Sequence, residues 1–261
     1  MNIIVCIKQV PETTEVKINP QTNTLIREGV KSIINPFDMY AIEEAVRLKE
    51  RFGGKVTVLT MGPPQAEGAL REAVAIGCDE GVLLSDRAFA GSDTLATSFT
   101  LSCAIRKIEG GFDLILCGKQ ASDGDTAQVG PGVSVHLDIP QVTYVKKIEQ
   151  IIDGVARVER MTEEGYEIIE LALPALFTVV KEINEPRIPG LRGMMRAKKA
   201  MITHWGAKNI QADAGRVGLA GSPTQVLKIF TPLPRKGGQV FHGDTASVVD
   251  KVVELLKCEL T

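Results

Sequence analysis

Ile3-Ile4-Val5-Cys6-Ile7 is an unbroken apolar run, followed at once by Lys8-Gln9-Val10-Pro11. A strand that is apolar at every position has both faces covered, the mark of a parallel sheet between two helix layers. Working outward, residues 35 to 52 carry Ala41, Ile42, Ala45, Val46 and Leu48 at helical spacing. Asn35 is placed as the N-cap, Pro36 at the first helical position and Gly53-Gly54 at the stop. The strand pattern recurs in Val56-Thr57-Val58-Leu59-Thr60, Val82-Leu83-Leu84 and Asp113-Leu114-Ile115-Leu116-Cys117. Between and after these lie helical stretches from Gln65 to Ile76, from a cap at Ser92 or Asp93 to about Lys107, and one ending near Leu137. Strand and helix alternate four times, which predicts an α/β fold with a doubly wound, mostly parallel sheet.

The pattern changes after Pro140. Thr143 to Ile148, Val155 to Met161 and Tyr166 to Leu171 alternate, with turn signals at Asp153-Gly154 and Glu164-Gly165. They read as an antiparallel excursion over about 141–172. Ala175-Leu176-Phe177-Thr178-Val179-Val180 reads as a buried strand returning to the main sheet. From Asn184 to residue 243 the chain is rich in Gly and Pro, yet apolar groups persist from Val226 to Phe230. So long an irregular stretch is unusual inside a compact domain. The expected organisation is therefore an α/β domain over 1–183 and an arm over 184–261 that packs on another subunit. The arm ends in an amphipathic helix from Thr245 to Leu256.

The 261 residues allow one large domain or two small ones, and 44% hydrophobic with 24% charged residues is ordinary for a globular chain. Thirty Lys+Arg against 32 Asp+Glu leave a net charge of −2. No global basic field exists to attract nucleic acid, and no run of about 18 apolar residues exists to span a membrane. The apolar start is expected to be a buried strand and not a signal peptide. Cys6, Cys78, Cys103, Cys117 and Cys258 contain no CxxC, and four of them sit in apolar stretches. They read as small core residues of a chain kept in a reducing, cytoplasmic setting. His136, His204 and His242 are too few and too scattered for a metal site, and none is expected.

In an open parallel sheet, ligands bind outside the carboxyl ends of the strands. After the fourth strand stands Gly118-Lys119-Gln120-Ala121-Ser122-Asp123-Gly124-Asp125-Thr126-Ala127-Gln128-Val129. Two glycines for close approach, hydroxyls at Ser122 and Thr126 and a following helix N-terminus make a candidate phosphate cradle. The same letters allow a blander reading, in which Asp125-x-x-Gln128 is only a capping box. No Walker A or G-x-G-x-x-G sequence occurs, and no catalytic triad or carboxylate pair stands out. A second cluster, Glu185 to Lys199, holds Arg187, Arg192, Arg196, Lys198 and Lys199 around the apolar Leu191, Met194 and Met195. It reads either as a solvated charge run or as a docking loop with an apolar anchor and a cationic rim.

Four segments carry a family resemblance over essentially the whole chain. They are Val5-Cys6-Ile7-Lys8-Gln9-Val10-Pro11, Asn35-Pro36-Phe37-Asp38 with Glu43-Glu44-Ala45, Gly118-Lys119-Gln120-Ala121 through Gln128, and Asn184-Glu185-Pro186-Arg187 through Lys198-Lys199. In this order the chain resembles the β subunit of electron-transferring flavoproteins. The resemblance implies an adenine-nucleotide-binding α/β domain, adenine-nucleotide α-hydrolase-like and flavodoxin-like in fold. It also implies an arm that wraps an FAD-carrying α subunit. Housekeeping members bind structural AMP in β, while electron-bifurcating members bind an FAD whose adenosine half takes that place. Gly124-Asp125-Thr126-Ala127-Gln128-Val129-Gly130-Pro131 and Gly221-Ser222-Pro223-Thr224-Gln225-Val226 are similar to the bifurcating group.

Carried over, the cofactor contacts fall on Cys6, Asn35, Pro36, Phe37, Asp38, Met61 and residues 118–129. Within the last range are Gly118, Lys119, Gln120, Ala121, Ser122, Asp123, Gly124, Asp125, Thr126, Ala127, Gln128 and Val129. Thr94 and Thr97 are added for the flavin half. Arg187, Leu191, Arg192, Met194 and Met195 are assigned to partner docking. The implied function is NADH-dependent electron bifurcation. One electron would pass to ferredoxin or flavodoxin, and the other through the α-subunit FAD to an acyl-CoA dehydrogenase-type flavoenzyme. The alternative is a housekeeping subunit that holds AMP and docks the dehydrogenase. Neither assigns a catalytic side chain to this chain.

Overall fold

The computed structural model describes residues 1–12, 17–19, 24–26, 32–227 and 237–259. It divides into two compact units, Met1–Leu227 and Lys228–Thr261. In chain order the first unit contains β1 (Asn2–Cys6), β2 (Gln9–Pro11), β3 (Lys17–Asn19), β4 (Thr24–Ile26), β5 (Ser32–Ile34) and α1 (Pro36–Phe52). Next come β6 (Lys55–Met61), α2 (Glu67–Ile76), β7 (Glu80–Leu84), α3 (Thr94–Lys107), β8 (Leu114–Gly118) and α4 (Val129–Leu137). The excursion is β9 (Gln141–Ile152), β10 (Val155–Met161) and β11 (Tyr166–Ala172), followed by β12 (Ala175–Val179), α5 (Leu191–Lys199) and β13 (Ile202–Trp205). The second unit holds α6 (Thr245–Glu259), along which Val249, Val252, Val253, Leu255 and Leu256 are exposed. Part of the apolar run expected from Val226 to Phe230 lies outside the described residues.

The main sheet runs β11-β10-β9-β12-β8-β1-β6-β7-β13. From β9 to β13 neighbouring strands are parallel; β9, β10 and β11 pair antiparallel. The buried runs read as parallel strands are these central ones: Ile3, Ile4, Val5, Leu114, Ile115, Leu116 and Phe177 are all at most 2% exposed. Beneath one face lie Ala41, Ile42 and Leu48 of α1 with Ala69 and Leu70 of α2. Beneath the other lie Phe99, Leu101, Ala104 and Ile105 of α3 with Val133 of α4. The chain winds from β1 outward through β6 and β7, then crosses back to place β8 on the other side of β1. That reversal puts the topological switch point between β1 and β8, where a crevice opens at the carboxyl ends.

The organisation beyond residue 184 differs from the expected arm. Residues 191–205 form a helix and a strand that belong to the first unit, and the division falls after Leu227. β13 adds to the sheet beside β7, pairing Ile202 to Trp205 with Gly81 to Leu84. α5 packs on α2, held by Arg71 Nη1 donating to the carbonyls of Ala197 (2.9 Å) and Ala200 (3.1 Å) and by Arg196 Nη2 donating to Val74 O (2.6 Å). Gly193 permits the approach: a Cβ there would lie 2.1 Å from Ala75 O. Two glycines and five basic residues in the 187–199 stretch obscured this helix in the sequence.

This contact generates a contrast between two glycines. Gly193→Ala must push α5 off α2 and is expected to cost about 1–3 kcal/mol, lowering Tm by several degrees in thermal unfolding. Gly124→Ala meets no atom within 4 Å and is expected to leave Tm within a degree of the parent. Equal Tm values for the two variants would contradict the packing.

Candidate functional site

The crevice at the switch point is built by two side chains from the start of α1. Asp38, in its first turn, is 5% exposed. Its Oδ2 accepts the Lys8 amide just past β1 at 2.7 Å, and its Oδ1 accepts the Gly118 amide at the end of β8 at 3.2 Å. One carboxylate therefore ties the ends of the two strands that flank the switch point. Gly118 must be glycine for this, because a Cβ there would lie 2.4 Å from Asp38 Oδ1 and 2.6 Å from the Phe37 carbonyl carbon. Asn35 is 1% exposed. It precedes α1 as expected, but its side chain does not cap the helix. Instead Nδ2 donates to Gln120 O at 2.8 Å and Oδ1 accepts the Ser122 amide at 3.0 Å. Asn35 thus pins the first half of the 118–128 loop.

The second half of the loop is held by its own groups. The amides of Gly124 and Asp125 donate to Ala121 O at 3.3 and 2.9 Å. Lys8 Nζ pairs with Asp123 Oδ1 at 2.6 Å, and Gln120 Nε2 donates to Asp125 Oδ1. Both acidic side chains therefore have partners, a cation for Asp123 and an amide for Asp125. The capping-box reading is corrected: α4 begins at Val129 with no side-chain cap, and Asp125 and Ala127 sit at φ 55° and 54°. Left-handed backbone at two non-glycine residues is a feature of functional loops. Around Gly124 a Cβ would meet nothing within 4 Å.

α3 brings a second wall. Asp93 caps it, its Oδ1 accepting the amides of Leu95 (2.9 Å) and Ala96 (3.0 Å). Asp93 Oδ2 accepts both the amide and the hydroxyl of Thr224, at 3.1 and 2.9 Å, and the Asp93 amide donates to Ser222 Oγ at 2.8 Å. Burial opposes ionisation of Asp93, but these donors outweigh it and hold the carboxyl below its ordinary value. The 221–226 segment is thus seated on the N-terminus of α3. Thr94 Oγ1 donates to Gln128 Oε1 at 2.9 Å, joining this wall to the loop. Thr97, one turn further, lies on the same helix face as Thr94. Beside them is a cavity of about 240 Å³ lined by Leu95, Phe99, Arg216, Ser222 and Pro223, with Arg216 Cζ 3.8 Å from the Phe99 ring centroid. Sequence reading missed this cavity, because its walls lie more than a hundred residues apart.

Of the other expected contacts, Cys6 ends β1 and Met61 ends β6, both at the carboxyl edge. Pro36 opens α1. Lys119 Nζ lies 5.3 Å from the Phe37 ring centroid and 5.2 Å from that of Tyr144, so its ammonium sits between two aromatic faces. Among the described residues no group of His, Cys, Asp and Glu is placed to hold a metal ion. No helix among them is long and apolar enough to cross a membrane.

Arg187, one of the residues assigned to docking, is tied into the fold. Its Nε donates to Glu43 Oε2 (2.8 Å) and its Nη1 to Glu50 Oε1 (2.5 Å), while its amide also donates to Glu43 Oε2 (3.1 Å). Burial works to raise the Glu43 carboxyl, but Arg187 and Arg47 outweigh it and hold it below the usual range. Glu44 accepts from Asn184 Nδ2 at 3.0 Å. The adjacent acids of α1 therefore anchor residues 184–187 and set where the following segment starts. Leu191, Arg192, Met194 and Met195 are exposed on α5, beside an exposed Ile188.

Burial is the largest influence on Asp38 and pushes its carboxyl from 3.8 up to about 7, against the lowering effect of the Lys8, Asn35 and Gly118 donors. The folded chain then holds this proton more tightly than the unfolded chain does. Its stabilising contribution is complete below pH 3.8 and is lost as the pH rises through about 7. Urea unfolding of the parent and of Asp38→Asn between pH 5 and 8 checks this. The parent's stability relative to the variant should fall as pH rises; a rise would contradict it. Separately, Asn35→Ala removes both loop bonds and is expected to cost about 1–3 kcal/mol, with faster amide hydrogen exchange at Ser122.

The comparisons bear on this geometry. Residues 22–209 match the family model described as the electron transfer flavoprotein domain. The chain is 54% identical over 257 residues to the electron transfer flavoprotein subunit beta of Thermoanaerobacterium thermosaccharolyticum, covering 98% of both chains. It is 51% identical over 259 residues to the caffeyl-CoA reductase-Etf complex subunit CarD of Acetobacterium woodii, again covering 98% of both. It is 49% identical over 240 residues to the protein FixA of Azotobacter vinelandii, covering 90% of this chain and 85% of that one. A doubly wound sheet with a cradle at its switch point, matched over nearly its whole length by such relatives, belongs to the electron transfer flavoprotein β-subunit family.

Proposed function

We propose that this chain is the β subunit of a heterodimeric electron-transferring flavoprotein that binds FAD and takes part in NADH-dependent electron bifurcation. The observation that carries this is the Thr94–Gln128 bond of 2.9 Å. It joins the 118–128 loop to the start of α3, as a group extending beyond the adenosine half would need. The residues fit such a group. Gly118 lets the Asp38 carboxyl close against the strand end beneath the loop, and the space around Gly124 is open. The similarity to a subunit of a caffeyl-CoA reductase-Etf complex supports the same reading.

In this reading Cys6, Asn35 and residues 118–129 hold the adenosine half. Thr94, Thr97, Ser122 and Thr126 offer hydroxyls toward the diphosphate, and Lys8 supplies the nearby positive charge. Bound FAD would supply hydride acceptance from NADH and the division of the pair into single electrons, chemistry that no side chain here can perform. The chain's own work is positional. Asp38 and Asn35 keep the cradle in one shape, and Asp93 with Ser222 and Thr224 keeps the α3 wall in place. An α subunit carrying a second FAD would pass one electron to an acyl-CoA dehydrogenase-type flavoenzyme, and ferredoxin or flavodoxin would take the other. Leu191, Met194 and Met195 on α5, rimmed by Arg192, would form the dehydrogenase docking surface.

The test is Gly124→Glu in the co-expressed heterodimer. A carboxylate in the open space where a diphosphate is expected should remove the β-site FAD and leave the α-site FAD. The flavin content would then fall by half, with NADH oxidation lost. Unchanged flavin content in the folded variant would overturn the assignment of the loop.

A further inference from the structure

Two cysteines meet on the floor of the crevice. Cys6 ends β1, Cys117 is the penultimate residue of β8, and the two are direct partners in the parallel ladder. Neighbouring strands lie about 4.7–4.9 Å apart, within the Cα separation that a disulfide spans. Both side chains belong to the same cluster on the same face of the sheet. They are only 7% and 6% exposed, at the carboxyl edge where the crevice opens. The neighbouring Cys6 thiol, together with burial, raises the Cys117 thiol well above its ordinary value. Cys78 is buried on the opposite face, and Cys103 is half-buried on α3. The electron-transfer function gives Cys117 no task.

We propose that Cys6 and Cys117 are a redox dithiol beneath the cradle, closed to a disulfide by a hydroperoxide when the crevice is empty. One thiol loses its proton and attacks the peroxide oxygen. The O–O bond breaks, a sulfenic acid forms and water leaves. The second thiol then attacks the sulfenic sulfur, the S–S bond forms and a second water leaves. Two thiols are oxidised by two electrons and one hydrogen peroxide is reduced to two waters. The pair is slow at rest, because buried thiols at neutral pH hold little thiolate. A bound nucleotide slows it further by covering Cys6, a part that rests on the function proposed above. The disulfide ties β1 to β8 one residue before Gly118, so the oxidised chain holds a cradle of altered shape.

The experiment treats the purified heterodimer, as isolated and after removal of its cofactors, with hydrogen peroxide. Remaining thiols are blocked, and peptides containing positions 6 and 117 are mapped by mass spectrometry. The expected product in stripped protein is a linked pair 2 Da lighter than the two reduced peptides. It should be reversed by dithiothreitol and absent from Cys6→Ser and Cys117→Ser. Finding both thiols still alkylatable, or each oxidised singly to sulfinic acid with no link, would overturn the proposal. Flavin and nucleotide content is read by absorbance on the same samples, so a failure of the FAD assignment shows there and not in the thiols.

Discussion

One carboxylate organises the site. Asp38 accepts an amide from the end of each of the two strands that meet at the switch point, and it does so from the first turn of a helix crossing beneath them. A doubly wound sheet opens a crevice at that point because successive connections leave in opposite directions. Opening alone does not make a binding surface. The strand ends must be held at a fixed separation, and the loop after β8 must return over them. Asp38 meets the first requirement and its neighbour Asn35 the second, one turn of chain supplying both. Both side chains are removed from water, so every polar atom they carry needs a partner in the protein. That makes the loop conformation a condition of burying them.

From this clamp the rest of the chain follows outward. α1 carries Asp38 at its start, and one turn on it carries Glu43, which is 2% exposed and grips Arg187. The same helix thereby positions the crevice and the origin of the 188–199 segment. α3 is fixed to the crevice by Thr94 and to the 213–224 segment by Asp93. Segments distant in sequence are brought to one edge of the sheet by single buried or capped acids, each doing two jobs.

Much of this was legible in the letters. The central strands are apolar at every position, and the pattern located them within a residue or two: Val56–Thr60 was expected and Lys55–Met61 is found. The return of residues 175–180 to the sheet was read from an almost wholly apolar run, and β12 (Ala175–Val179) does lie beside β8. Helix α5 and strand β13 were not read. Gly193 lies inside α5 because α2 approaches there, and close packing looks like a helix breaker when the neighbour is unknown. Local patterns also misled where tertiary contacts claim the same side chain. Asn35 has the letters of a cap, yet the loop uses its amide. Asp125 and Gln128 have the letters of a capping box, yet Asp125 is bound by Gln120 and Gln128 by Thr94. The 118–129 stretch was read as a cradle from its glycines and hydroxyls, while the pairing of residues 93–94 with 128 and 222–224 is one that no spacing reveals.

The central claim is that the loop and the start of α3 form one site long enough for a dinucleotide. The most direct measurement is the cofactor content of the unmodified heterodimer, co-expressed with its α subunit, denatured, and resolved by chromatography into FAD and AMP. The account predicts two FAD and no AMP per heterodimer. One FAD with one AMP would contradict it and leave this chain a structural and docking subunit.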